Sequence, residues 1–243
     1  MGVAVVTGAG GAIGSAVCRQ LAAEGYQVAA LDLVEPEKLV KRTQFFACNV
    51  TSRSAVRSVI EDVEDHLGEI DALVNVAGVV SRGSALSLSV AEFERVMKVN
   101  VQGTLIPCQV IGQRLAERGF GAIVNVGSVV GKNGGNARPW LDPGEQANAG
   151  NVAYGMSKAA VHTLTLFLAK ELAARGVRVN AVAPGPIATD MTTSFPEHLK
   201  ALIPLGRMGR ADEVAAAVSF LLSDKAGFIS GEILDINGAL WCD

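Results

Sequence analysis

Aromatic residues are scarce in this 243-residue chain, at 5% of positions against a hydrophobic fraction of 49%. A core built on large rings is thereby excluded. The apolar mass falls to Val, Ala and Leu, the composition of parallel strands buried on both faces. Cysteine is also scarce, and Cys18, Cys48, Cys108 and Cys242 share no spacing suited to a metal. They are read as reduced residues of a cytoplasmic protein, and no metal ligand is assigned. No apolar run approaches the length of a membrane span, and the N-terminus enters a strand rather than a signal peptide. The net charge is −3 with Lys and Arg scattered, which excludes a basic nucleic-acid groove and an anionic-membrane surface. His66, His162 and His198 are given no chemistry: two fall on outer helix patterns and the third in a loop region. Repeats, low-complexity tracts and linkers are absent, so residues 1–243 are read as one domain with a sizeable core.

Apolar runs alternate with helical periodicity along the chain. Strands are expected near 3–7, 27–31, 45–49, 71–75, 122–126, 177–183 and 232–236. Helices are expected near 13–24, 52–67, 89–118, 153–175 and 211–223, with a truncated helix or none in 33–44. That order predicts an α/β, doubly wound, mostly parallel seven-stranded sheet. Residues 131–152, rich in Gly, Asn, Pro and Ala, read as loop.

Two motifs carry chemistry. Val3-Ala4-Val5-Val6-Thr7 runs into Gly8-Ala9-Gly10-Gly11-Ala12-Ile13-Gly14 and leaves as a helix stopped by Gly25. Strand, glycine turn and helix form the setting in which a backbone approaches a pyrophosphate at a helix N-terminus. The next strand ends at Asp32, 18 residues after Gly14, placed to accept from ribose hydroxyls of NAD and to repel the 2′-phosphate of NADP. The second motif is Tyr154-Gly155-Met156-Ser157-Lys158. Residues at i and i+4 share a helix face, so a phenol lies beside an ammonium. The cation is expected to favour phenolate and lower a pKa of about 10, so that the pair exchanges a proton with an alcohol or ketone. A fall to near 7 takes about 4 kcal/mol of preferential phenolate stabilisation.

These motifs resemble those of the short-chain dehydrogenase/reductase family over nearly the whole chain. The family's T-G-x-x-x-G-x-G loop is matched by Thr7, Gly8 and Gly14, with Ala12 in place of the middle glycine. Its N-N-A-G segment is matched by Asn75-Val76-Ala77-Gly78, its adenine-side acidic residue by Asn49 followed by Val50, and its P-G stretch by Pro184-Gly185-Pro186-Ile187-Ala188-Thr189. The resemblance implies a Rossmann-type three-layer αβα fold and catalytic roles for Asn100, Ser128, Tyr154 and Lys158. It implies that Ser128 binds the substrate oxygen, that Asn100 holds a proton-relay water, and that Lys158 holds the nicotinamide ribose. With Asp32, the dinucleotide contacts are expected from Gly8, Gly10, Gly11, Ile13, Gly14, Asp32, Leu33, Asn49, Val50, Asn75, Ala77, Gly78, Tyr154, Lys158, Pro184, Gly185, Ile187 and Thr189. A homotetramer is implied too, in keeping with the apolar faces of helices 89–118 and 153–175.

The expected activity is hydride transfer between NAD(H) and a secondary alcohol or ketone. Pro204-Leu205-Gly206-Arg207-Met208-Gly209 and Ile236-Asn237-Gly238 resemble 3-oxoacyl-carrier-protein reductases, which makes a 3-oxoacyl-thioester reductase the alternative. Those enzymes mostly use NADPH and usually lack an acid at the Asp32 position. A non-catalytic dinucleotide sensor fits the fold but has no use for a tuned phenol. A longer-chain epimerase or dehydratase would need an extra substrate domain. Ser128 and Tyr154 lie 26 residues apart, about twice the family's usual separation. Segment 131–152, with Arg138, Trp140 and Asp142, is therefore expected to be a lid or a subunit contact beside the site. Arg138 and Arg82 are candidates to hold an anionic group. Substrate contacts are expected from 79–83, 129–152 and 186–205, which carry no code that names the alcohol.

Overall fold

The computed structural model describes residues 2–135, 140–141, 143–189 and 197–242. The strands are β1 (Val3–Thr7), β2 (Gln27–Asp32), β3 (Thr43–Ala47), β4 (Ile70–Asn75), β5 (Gly121–Val126), β6 (Val177–Pro184), β7 (Ile187–Ala188), β8 (Gly209–Arg210) and β9 (Ile233–Ile236). The helices are α1 (Ala12–Ala23), α2 (Arg53–Leu67), α3 (Val90–Met97), α4 (Gly103–Arg118), α5 (Val130–Asn133), α6 (Pro143–Asn148), α7 (Val152–Ala173), α8 (Glu197–Lys200) and α9 (Ala211–Leu222). Seven strands form one sheet in the order β3-β2-β1-β4-β5-β6-β9, with every pairing parallel. β7 and β8 form a separate short pair.

Alternation along the strands builds both faces. Val6, Val74 and Val124 point to one side, where α1 and α9 supply Val17, Leu21, Val214, Val218 and Leu221. Their neighbours Val5, Leu73 and Ile123 point to the other, against Ile60 of α2 and Ile111 and Leu115 of α4. Small and β-branched side chains let helices lie close over both faces, which explains why the core does without large rings.

Parallel pairing puts every carboxyl end on one edge. The strand order reverses between β1 and β4, and a crevice opens there. The chain punctuates itself accordingly. Ser52 caps α2, accepting from Ala55 N at 3.3 Å, and Asn151 caps α7, accepting from the N–H groups of Ala153 at 3.1 Å and Tyr154 at 3.3 Å. The N-terminus of α1 has Gly11 at its cap and no side-chain bond, so its N–H groups remain open on that edge.

Three expectations are corrected. β3 begins and ends two residues earlier than expected, so Asn49 and Val50 lie in the turn beyond it. The single helix expected at 89–118 carries a π-helical turn at Lys98–Gln102 between α3 and α4. Asn100, Gly103 and Pro107 all disfavour a regular helical ladder there. Finally, the long loop at 131–152 contains α5 and α6. Their few helix-forming residues lie between glycines and asparagines, which hid them from periodicity.

Candidate active site

The dinucleotide side of the crevice is built from close backbone approach. Gly8 has φ 66°, and a Cβ there would lie 2.6 Å from the Ala77 backbone. A Cβ at Gly14 would collide with the Gly8 carbonyl. The Thr7 hydroxyl accepts from Val76 N at 3.2 Å and Ala77 N at 3.3 Å, tying the loop to the end of β4. Asp32 closes the other wall: its carboxylate accepts from Gly10 N at 2.9 Å and Leu33 N at 2.7 Å. Gly10, Gly11 and the first turn of α1 thus leave a side-chain-free cradle at an uncapped helix N-terminus, which fits a pyrophosphate. Ile13 is half-buried and packs on the core from that turn.

The remaining predicted contacts divide. Ala77 and Gly78 continue the wall, and a Cβ at Gly78 would meet Asn100 Oδ1 at 3.3 Å and Lys158 Nζ at 3.6 Å. Pro184 ends β6 and Gly185, Ile187 and Thr189 follow it at the same edge, where the Pro184 carbonyl accepts from Val129 N at 3.0 Å and Gly185 N donates to Ile236 O at 2.9 Å. Asn49 folds its side chain back, accepting from Thr51 N at 3.0 Å and Thr51 Oγ1 at 2.8 Å, while Val50 packs inward beside Gly103. Asn75 is buried between strands: its amide donates to Asn125 Oδ1 at 2.9 Å, and Asn125 donates on to Thr165 Oγ1 at 2.9 Å. Asn75 therefore ties β4 to β5 and to α7.

The four catalytic candidates come together from three parts of the chain. Tyr154 stands in the first turn of α7 and Lys158 one turn later, with its Nζ 5.8 Å from the phenol ring centroid. Lys158 is buried and donates to the Val126 carbonyl at 2.8 Å. Ser128 follows β5; its hydroxyl accepts from Val130 N at 3.3 Å, and its side chain opposes the effect of burial on the phenol. Asn100 sits in the π-helical turn, fully pinned: Oδ1 accepts from Val79 N at 2.8 Å, and Nδ2 donates to Val79 O and to Ser157 Oγ, each at 2.9 Å. Its carbonyl accepts from Thr104 Oγ1 at 2.7 Å.

Burial decides the charges. It pushes the Tyr154 phenol above its ordinary value, outweighing the opposing hydrogen bond from Ser128. The expected downward shift is thus reversed, because the loss of solvent around the phenol is the largest effect on it. Burial also lowers Lys158 from 10.5 to about 8. A neutral phenol beside a buried, weakly held ammonium is arranged to donate a proton.

The lengthened segment is fastened on three sides of the mouth. Lys132 of α5 donates to Asp235 Oδ2 at 2.9 Å and to Ile233 O at 3.1 Å, both on β9. The end of the segment pairs with the chain after β4: Gly83 N donates to Ala149 O at 3.2 Å, Asn151 N donates to Ser81 O at 2.9 Å, and Arg82 bridges Gly150. Glu145 of α6 pairs with His198 of α8. Trp140 is exposed, and Arg138 and Asp142 lie outside the described residues. So do residues 190–196 of the expected substrate stretch 186–205.

Two of the histidines make specific contacts. His198 belongs to the clasp just described. His162 is buried, and its Nε2 accepts from Ser128 N at 3.3 Å. The signal was present: His162 falls four residues after Lys158, on the face already singled out.

Comparison with known proteins agrees with this geometry. The family model described as enoyl-(acyl carrier protein) reductase matches residues 8–240. The chain is 36% identical to the 3-oxoacyl-[acyl-carrier-protein] reductase of Thermotoga maritima, covering 98% of this chain and 97% of that protein. It is 34% identical to nodulation protein G of Azospirillum brasilense, again over 98% and 97%. The solved structure of gox2181 superposes with a TM-score of 0.90 at 32% identity, covering 98% of this chain and 95% of that one. The chain belongs to the short-chain dehydrogenase/reductase family and is an oxidoreductase of that family.

Proposed function

We propose that this oxidoreductase, a single dinucleotide-binding domain over residues 1–243, interconverts a secondary alcohol and a ketone with NAD(H) as its partner. The observation that carries the reading is the convergence of Tyr154, Lys158 and Ser128 on one point of the crevice, where Lys158 Nζ lies 5.8 Å from the phenol ring centroid and the Ser128 side chain opposes the effect of burial on the phenol. A bound nicotinamide supplies or accepts the hydride at the carbinol carbon. Ser128 holds the substrate oxygen, and Tyr154 gives that oxygen its proton in reduction or removes it in oxidation. Lys158 orients the nicotinamide ribose and biases the phenol. Asn100 fixes the wall at Val79 and holds a relay water toward Lys158.

Asp32 supports NAD over NADP, because a 2′-phosphate would meet a carboxylate already oriented by Gly10 N and Leu33 N. A phenol raised by burial supports ketone reduction near neutral pH, with oxidation favoured as pH rises. The relatives named as 3-oxoacyl-[acyl-carrier-protein] reductases support a 3-oxoacyl thioester as the second reading of the substrate. A cytoplasmic homotetramer completes the proposal. The test is a panel of ketones, ketoesters and acetoacetyl-coenzyme A, assayed with NADH and with NADPH by loss of reduced-nicotinamide absorbance. Turnover with NADH preferred is the expected result. A kcat/KM favouring NADPH overturns the cofactor assignment, and no turnover of any carbonyl compound overturns the enzyme reading in favour of a sensor.

A further inference from the structure

We propose that His162 is a positioning residue for Ser128, so that α7 carries the phenol and also holds the main chain of the serine. Beyond β5 the chain continues to lean on β6: Gly127 N donates to Val182 O at 2.8 Å and Val129 N donates to Pro184 O at 3.0 Å. Alternation along this extended stretch turns the Ser128 N–H the other way, toward α7, in a region closed to solvent. A buried N–H needs a partner, and no strand supplies one there. The His162 imidazole does, with Nε2 at 3.3 Å.

A second, independent observation is the shape of the ring's slot. A Cβ on Gly127 would collide with Nε2, and a Cβ on Gly131 would lie 3.0 Å from Cε1. Gly127 and Gly131, before and after Ser128, are therefore bare on the side the imidazole occupies. Tyr154, Lys158 and His162 recur every fourth residue of one helix, so all three side chains rise from a single rigid face. Accepting from Ser128 requires the lone pair on Nε2, which places the proton of a neutral ring on Nδ1. Loss of the acceptor would leave the Ser128 N–H unpaired between its two β6-bonded neighbours while leaving the dinucleotide cradle on β1 and α1 untouched.

The inference rests on the reductase reading for its kinetic arm only. Turnover of ethyl acetoacetate with NADH is compared among the wild type, His162→Gln and His162→Leu, since the glutamine carbonyl can reach where Nε2 stood. The expected result is a kcat lowered at least tenfold by His162→Leu and restored to within about threefold of wild type by His162→Gln, with the NADH KM unchanged in both. A purely structural role would lower melting temperature in both variants without separating their kcat values, and equal kcat values overturn the inference. The second arm needs no activity: the chain is labelled with 15N at its three histidines and examined by solid-state NMR. The signal lost in His162→Gln is expected to show an unprotonated Nε2 and a protonated Nδ1. A protonated Nε2 overturns the inference whether or not the ketoester turns over, whereas absent turnover with the expected spectrum counts against the reductase reading alone.

Discussion

Lys158 shows at the scale of one residue how the site is held against its own stability. Burial lowers its pKa from 10.5 to about 8. Below pH 8 the residue is protonated in both folded and unfolded chains, and the folded state carries the whole desolvation cost, about 3 kcal/mol. Between pH 8 and 10 the folded chain has lost that proton while the unfolded chain keeps it, so stability from this group rises with pH. Above pH 10 the raised Tyr154 acts in the opposite direction, since the unfolded chain then sheds a phenol proton that the folded chain retains. Lys158→Met should therefore abolish turnover yet raise unfolding free energy at pH 7 by about 1–2 kcal/mol, after allowing about 1 kcal/mol for the lost bond to Val126. Urea denaturation at several pH values checks this. A variant that keeps the wild-type rise in stability from pH 8 to 10 would contradict it. The Tyr–Lys pair was legible because i,i+4 spacing is a property of sequence. The direction of the phenol's shift was not, because burial depends on what folds over the ring.

At the scale of elements, the departures from regular patterns gather around the mouth. The π-helical turn at Lys98–Gln102 rotates Asn100 inward, where its amide closes on both backbone groups of Val79. The sequence marked Asn100 as a break in an apolar run, but the kind of break is a matter of three-dimensional packing. The segment between Ser128 and Tyr154 was legible as extra length in the right place. Its helices and fastenings were not, since Lys132–Asp235 and Glu145–His198 join residues far apart in the chain. We propose that this segment, tied to β9, α8 and the stretch after β4, helps to select substrate. Loosening it with His198→Gln should raise KM for the best ketone by about tenfold and leave NADH affinity unchanged. Steady-state kinetics and a dinucleotide titration separate the two. An unchanged KM accompanied by dissociation into smaller units would make the segment an interface element instead.

At the scale of the whole molecule, the all-parallel sheet collects the cradle, Asp32, Ser128 and the α7 pair on one edge, as the alternating pattern required. What the sheet does not bury is also informative. Phe167, Met156 and Leu166 of α7 are exposed, with Phe167 at 71%, and β9 lies at the sheet edge with all four residues only partly covered. We propose that self-assembly covers these apolar side chains and the open edge strand. The chain is expected to be a homotetramer at micromolar concentration, and Phe167→Asp to shift it to smaller species. Multi-angle light scattering checks both, and a monomeric wild type would contradict the expectation.

If the Tyr154 hydroxyl carries the reaction's proton, Tyr154→Phe removes the group on which turnover depends. The ring and its packing remain while the hydroxyl is removed. The measurement is kcat for the best ketone, taken beside the Kd for NADH on the same preparation. The account predicts a loss in kcat of about 10²–10⁴-fold with the NADH Kd within about twofold of wild type. A phenylalanine variant that binds NADH equally well and turns over at a rate close to wild type would show that another group supplies the proton.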